Sequence, residues 1–178
     1  SQLPAFARNI RDIDSFRTFF TNHISTVAGR YEGKIASWDV VNEALNEDGT
    51  MRKSIFLDRL GVDFVTEAFR LAQKASPKSA LYYNDYNNEQ PAKRAGCIAL
   101  VKKIQSAGVR IDGVGIQGHW HTGKVPFKEI EESIVAYAAL GLKVMITELD
   151  LEVLPRNFSG ADVNQRVASN PSLNPYAI

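Results

Sequence analysis

Cysteine is almost missing from this chain. Cys97 stands alone among 178 residues, so no internal disulfide framework can staple the fold. It falls on an apolar helical stripe, the setting of a buried thiol and not of a nucleophile. An excess of charge of either sign is missing too. Lys plus Arg number 21 against 20 Asp plus Glu, so neither nucleic acid nor a membrane surface is expected as a partner. No apolar run approaches the ~20 residues of a membrane-spanning helix. The opening Ser1-Gln2-Leu3-Pro4 has neither the charged start nor the apolar stretch of a signal peptide. Histidine is scarce. His119-Trp120-His121 spells a metal-like H-x-H, but a catalytic zinc typically takes three protein ligands, and the third histidine, His23, lies on a helical stripe. Asn46-Glu47-Asp48-Gly49 lacks the ligand spacing of a calcium loop and reads as a turn. No metal and no cofactor is expected.

What is present is an alternation of two periods. Phe16, Phe19, Phe20, Ile24 and Val27 recur at helical spacing, as do Val65, Ala68, Phe69 and Ala72 before Ser76-Pro77. Cys97, Leu100, Val101 and Ile104 predict a third helix, closed by Gly108. Ile130, Ile134, Tyr137 and Ala138 predict a fourth, starting at Pro126. Between them lie four apolar, strand-like runs: Ile35 to Glu43, Ala80 to Asp85, Ile111 to Gln117, and Lys143 to Glu148.

Strands alternating with helices predict a parallel sheet with helical crossovers. Each run ends in a polar cluster: Asn42-Glu43, Asn84-Asp85, Gln117-Gly118-His119 and Glu148-Leu149-Asp150. Polar residues gathered at every strand's C-terminal end are the layout of a (β/α)8 TIM barrel. A doubly wound sheet concentrates its ligands at one switch point, often beside a Gly-rich phosphate loop, and neither feature is seen. A full barrel typically takes ~250 residues, so the α/β fold expected is an incomplete barrel with about half the strands. Glu43 and Glu148 carry the chemistry. A carboxylate gains nothing by ending an apolar strand, because unpartnered burial costs several kcal/mol. Two such placements in one chain point to a pair of carboxyl groups with separate acid and base duties, as glycoside hydrolysis requires.

Trp38-Asp39-Val40-Val41-Asn42-Glu43 and Ile146-Thr147-Glu148-Leu149-Asp150 resemble the two signatures of glycoside hydrolase family 10, the endo-β-1,4-xylanases. The resemblance continues through Asn84-Asp85-Tyr86-Asn87, Gln117-Gly118-His119 and the opening Ser1-Gln2-Leu3-Pro4, and covers Ser1 to about Pro155. It implies a retaining hydrolysis of xylan through a covalent glycosyl-enzyme, with Glu43 as general acid/base and Glu148 as nucleophile. By the same resemblance Asn42 bonds the 2-hydroxyl of the sugar on the nucleophile, and His119 and Asp150 form a relay behind Glu148. Gln117 belongs near the nucleophile. Tyr86, Asn87 and Gln2 are expected sugar contacts, with Tyr86 on the leaving-group side and Gln2 on the opposite side.

The resemblance also sets the boundaries. Residues 1–178 are read as a partial catalytic domain running from the end of the third strand to the loop after the seventh. The remainder of the barrel is then expected on another chain or segment, and an inserted carbohydrate-binding module is a partner the family allows. The alternatives are a β-1,4-glucanase or mannanase of the same clan, and an inactive fragment that needs a complementing chain. A xylan substrate implies a secreted, extracellular, cell-surface or periplasmic location.

Overall fold

The structure is a computed structural model and describes residues 3–153. The elements alternate as expected, with helices α1 (Ala5–Asn9) and α2 (Ile13–Arg30) leading to strand β1 (Ser37–Asn42). Helices α3 (Ile55–Leu60) and α4 (Phe64–Ala75) precede β2 (Ala80–Tyr86). Helix α5 (Pro91–Ser106) precedes β3 (Gly113–His121), and α6 (Phe127–Ala138) precedes β4 (Lys143–Glu152). The short α1 and α3 are not foreseen by periodicity, because five or six residues carry too little of a 3.6-residue repeat. Asp12 starts α2 by accepting from the Ser15 N–H at 2.8 Å. On α2 the exposed Val27 leaves the inward position to its neighbour Ala28. Strand β3 begins two residues later than expected and runs on to His121, while β4 continues past Glu148.

All four strands are parallel and lie side by side in chain order, β1-β2-β3-β4. Each βα unit therefore adds its strand on the same side, and among the described residues no reversal creates a switch point. That is the topology of a barrel sector and excludes the doubly wound alternative. Tyr83 pairs with Val114, and Leu81 and Ile116 share that outer face. Against them pack Val65, Phe69 and Ala72 of α4, Cys97, Val101 and Ile104 of α5, and Tyr137 of α6. Burying each large apolar side chain contributes roughly 1.5–3 kcal/mol. Cys97 is fully enclosed here, and burial pushes its thiol up to about 12, so it stays protonated and inert at neutral pH.

The inner face is built differently. Asp39, Tyr82 and Gly113 stand in register, as do Asn42, Asn84 and Gly115. This face carries polar groups and two glycines in place of a hydrophobic layer. Strand β4 has no further strand beside it among the described residues. It exposes Met145, Ile146, Leu149 and Leu151, apolar residues of the kind a sheet normally covers. Among the described residues no helix is long and apolar enough to cross a membrane.

Candidate active site

The inner face ends in a connected layer of amides. Asn42 Oδ1 accepts from Asn84 Nδ2 at 3.0 Å and from Gln117 Nε2 at 3.1 Å. Asn84 Nδ2 also donates to Glu148 Oε1 at 2.9 Å, and Asn84 Oδ1 accepts from Thr147 Oγ1 at 2.6 Å. At the other end Glu43 Oε1 receives Asn42 Nδ2 at 3.3 Å and Gln117 Nε2 at 3.4 Å. Three amide side chains thus join the two carboxylates across all four strands. Gln117, expected beside Glu148, makes its bonds to Asn42 and Glu43.

A regular strand could not build this layer. Successive side chains point to opposite faces, so Asn42 with Glu43, and Thr147 with Glu148, should diverge. Two devices bring them together. Glu43, Asn87 and Glu148 have φ of 56°, 52° and 53°, and they are the non-glycine residues with positive φ among those described. Each such placement costs on the order of 1–3 kcal/mol and persists only where the surroundings enforce it. The second device is a bulge: Gln117 pairs with Thr147 but His119 with Asp150, so Glu148 and Leu149 both stand opposite Gly118. A matching shift lies in β1 at Val40, between the pairs Asp39–Tyr82 and Val41–Tyr83. The bulges and the positive φ values turn both carboxylates inward.

His119 Nδ1 lies 2.8 Å from Asp150 Oδ2, and its Nε2 lies 3.3 Å from Glu148 Oε2. The shorter contact holds the ring plane while the second nitrogen faces Glu148. Arg52 Nη1 donates to Glu43 Oε2 at 2.9 Å. It returns to Glu43 because the chain folds back after the Asn46–Gly49 turn, with Leu45 bridging Met51 and the Arg52 N–H donating to Ala44 O at 2.7 Å. Asp39, below the layer, has its carboxyl pushed upward, first by desolvation and then by the charge on Glu148. Neither Glu43 nor Glu148 is buried in this sector: their side chains are 31% and 47% exposed, and both are hydrogen-bonded. The cost of unpartnered burial expected from the sequence is therefore not incurred.

Tyr86 ends β2 and Asn87 follows it, with Asn87 Nδ2 donating to Glu47 Oε2 at 3.2 Å beyond Glu43. Gln2 lies outside the described residues. Asn84, Thr147, Arg52 and Asp39 are the participants that sequence reasoning did not assign. Asn84 had a signal, as a polar residue ending an apolar run. Arg52 had a weaker one, in the turn that separates it from Glu43. Trp120 packs on the core and donates to Glu89 Oε1 at 3.2 Å, and Trp38 packs there too. His121 Nδ1 accepts from the Gly123 N–H at 3.3 Å.

Fold and site together define a sector of a (β/α)8 barrel with two carboxylates converging at its mouth. Residues 1–171 match glycosyl hydrolase family 10, and the chain belongs to that family. It is 45% identical over 157 residues to endo-1,4-beta-xylanase A of Xylanibacter ruminicola, covering 87% of this chain and 42% of that one. It is 44% identical over 161 residues to endo-1,4-beta-xylanase 2 of Claviceps purpurea, covering 88% and 48%. A solved family 10 endoxylanase retrieved from a sugarcane soil metagenome superposes with a TM-score of 0.88 at 39% identity, covering 99% of this chain and 53% of that one. The chain spans about half the length of the relatives it matches.

Proposed function

We propose that this chain supplies both catalytic carboxylates of an endo-β-1,4-xylanase that cleaves xylan or xylo-oligosaccharides with retention of anomeric configuration. The observation that carries the reading is the amide layer joining Glu43 to Glu148, on a chain whose relatives are named xylanases. In the first step a Glu148 oxygen attacks the anomeric carbon while Glu43 gives its proton to the departing glycosidic oxygen. A glycosyl-enzyme ester results. In the second, Glu43 takes a proton from water as the water oxygen attacks the same carbon, and Glu148 is released. His119, held by Asp150, orients Glu148 throughout. Asn42, bonded to Glu43 and linked to Glu148 through Asn84, serves the sugar's 2-hydroxyl; Tyr86 and Asn87 take the leaving-group sugar, and Gln2 the opposite side.

The other strands come from another segment or chain, and the uncovered apolar residues of β4 are where the next one docks. The location follows the polymer, outside the cytoplasm. The test is xylan against carboxymethylcellulose and mannan in the full-length barrel, with the first-formed anomer read by NMR. Xylan cleavage giving the β-anomer is expected; an α-anomer first would overturn retention, and preference for either other glycan would overturn the substrate. Glu148→Gln should abolish turnover. Glu43→Ala should spare aryl glycosides, whose leaving groups need little protonation, in the first step. Equal loss in both variants would refute the division of roles.

A further inference from the structure

Lys93 is fully buried and has no part in the chemistry above. It is the third residue of α5, so its ammonium sits at a helix N-terminus, where the helix dipole opposes a cation. Burial alone would cost such a group several kcal/mol. Three partners offset both penalties. Nζ lies 3.0 Å from Asp85 Oδ1, 3.3 Å from Glu47 Oε1 and 3.5 Å from the centroid of the Tyr86 ring. Asp85, also buried, accepts from the Tyr83 hydroxyl and from the Tyr86 N–H at 2.9 Å. The same Tyr83 hydroxyl accepts from the N–H of Ala44, next to Glu43, at 3.1 Å. Glu47 meanwhile holds Asn87 with its second oxygen. Every branch from Lys93 therefore ends at Tyr86, at Asn87 or beside Glu43.

We infer that Lys93 is a positioning residue for the leaving-group side of the cleft, holding the Tyr86 ring from behind and Asn87 through Glu47. A pair needed only for folding would satisfy the buried charges with Asp85 alone. Here the ammonium also spans to a loop carboxylate that is largely exposed, and it lies close against an aromatic face. The side chain thereby ties α5 to Tyr86 directly and to Asn87 through Glu47, the two residues that would meet the leaving sugar. The inference rests on the glycosidase reading, and it assigns Lys93 to one side of the cleft only.

The test separates that side from the rest. A full-length barrel is loaded as its glycosyl-enzyme with a 2-fluoro aryl xylobioside, then reactivated by water or by xylobiose, which must enter through the leaving-group side. Lys93→Met should raise the xylobiose concentration for half-maximal reactivation about tenfold, the scale of a desolvated cation–π contact. Reactivation by water should change less than about twofold, and Lys93→Arg should recover part of the loss. Because Lys93→Met leaves Asp85 unpaired, the double variant Lys93→Met/Asp85→Asn removes both charges and should show the same acceptor defect if the single variant fails to fold. An unchanged acceptor dependence, or equal losses in the water and acceptor reactions, would overturn the positioning role. A wild-type barrel that forms no glycosyl-enzyme would overturn the glycosidase reading and this inference with it.

Discussion

Gly115 is the third residue of β3, far in sequence from both carboxylates, yet a single methyl there should disable them. A Cβ at this position would stand 2.3 Å from Asn84 Oδ1 and 3.1 Å from Asn84 Cγ, and ordinary contact begins near 3.4 Å. The backbone at Gly115 is not in the left-handed region, so alanine brings no strain of its own. The Asn84 amide must move by about 1 Å, and a hydrogen bond lengthened that far is no longer one. Asn84 holds Asn42 at 3.0 Å, Glu148 at 2.9 Å and Thr147 at 2.6 Å. Losing the bond to charged Glu148 and one neutral bond removes about 2.5–4 kcal/mol. Expressed in the transition state, that is roughly two to three orders of magnitude in kcat/KM. Steady-state kinetics on an aryl xylobioside, with thermal melts to show that the barrel still folds, measure the effect. The mechanism is isolated by a double-mutant cycle with Asn84→Ala. If the methyl acts through Asn84, Gly115→Ala should cost less than about 0.5 kcal/mol once Asn84 is alanine. An equal loss on both backgrounds would refute the reasoning.

Three further outcomes are expected. Asp150→Asn weakens the hold on the His119 ring and should lower kcat about 10- to 100-fold with little change in KM, as loss of a charge-assisted hydrogen bond predicts; a change under about twofold would remove Asp150 from the relay. Asp39→Asn should raise the melting temperature at neutral pH. The Asp39 carboxyl is pushed upward in the fold, so its contribution to stability is fully present below the unfolded value of about 3.9 and is lost as pH rises through the folded value; the gain from Asn should vanish toward pH ~4, and a gain uniform with pH would contradict the cause assigned. Tyr137→Phe should cost about 1–3 kcal/mol in denaturant titrations, because the buried Tyr137 hydroxyl donates to Asn88 O at 2.7 Å and its loss leaves that carbonyl unpaired.

The alternation of periods in the sequence determined the α/β class, the parallel sheet and the polar clusters at the strand ends, since apolar spacing is a local property. It also determined the identity of the acids: Glu43 and Glu148 are conspicuous because each closes a hydrophobic run. The short helices α1 and α3 were illegible because they hold too few turns to show a period. The aim of the acids was illegible too. A two-residue repeat puts Glu43 opposite Asn42 and Glu148 opposite Thr147, yet the structure brings all four to one layer. That depends on an extra residue in β4 against β3 and on positive φ at both glutamates, features decided by inter-strand pairing and not by neighbours in the chain. For the same reason only the tertiary structure revealed Asn84 as the bridge, Arg52 beside Glu43 and the buried Lys93 beneath Tyr86. The register of one parallel sheet brings Asn84 to partners many residues away, the fold-back after the Asn46–Gly49 turn brings Arg52 to Glu43, and the packing of α5 at the end of β2 brings Lys93 under Tyr86.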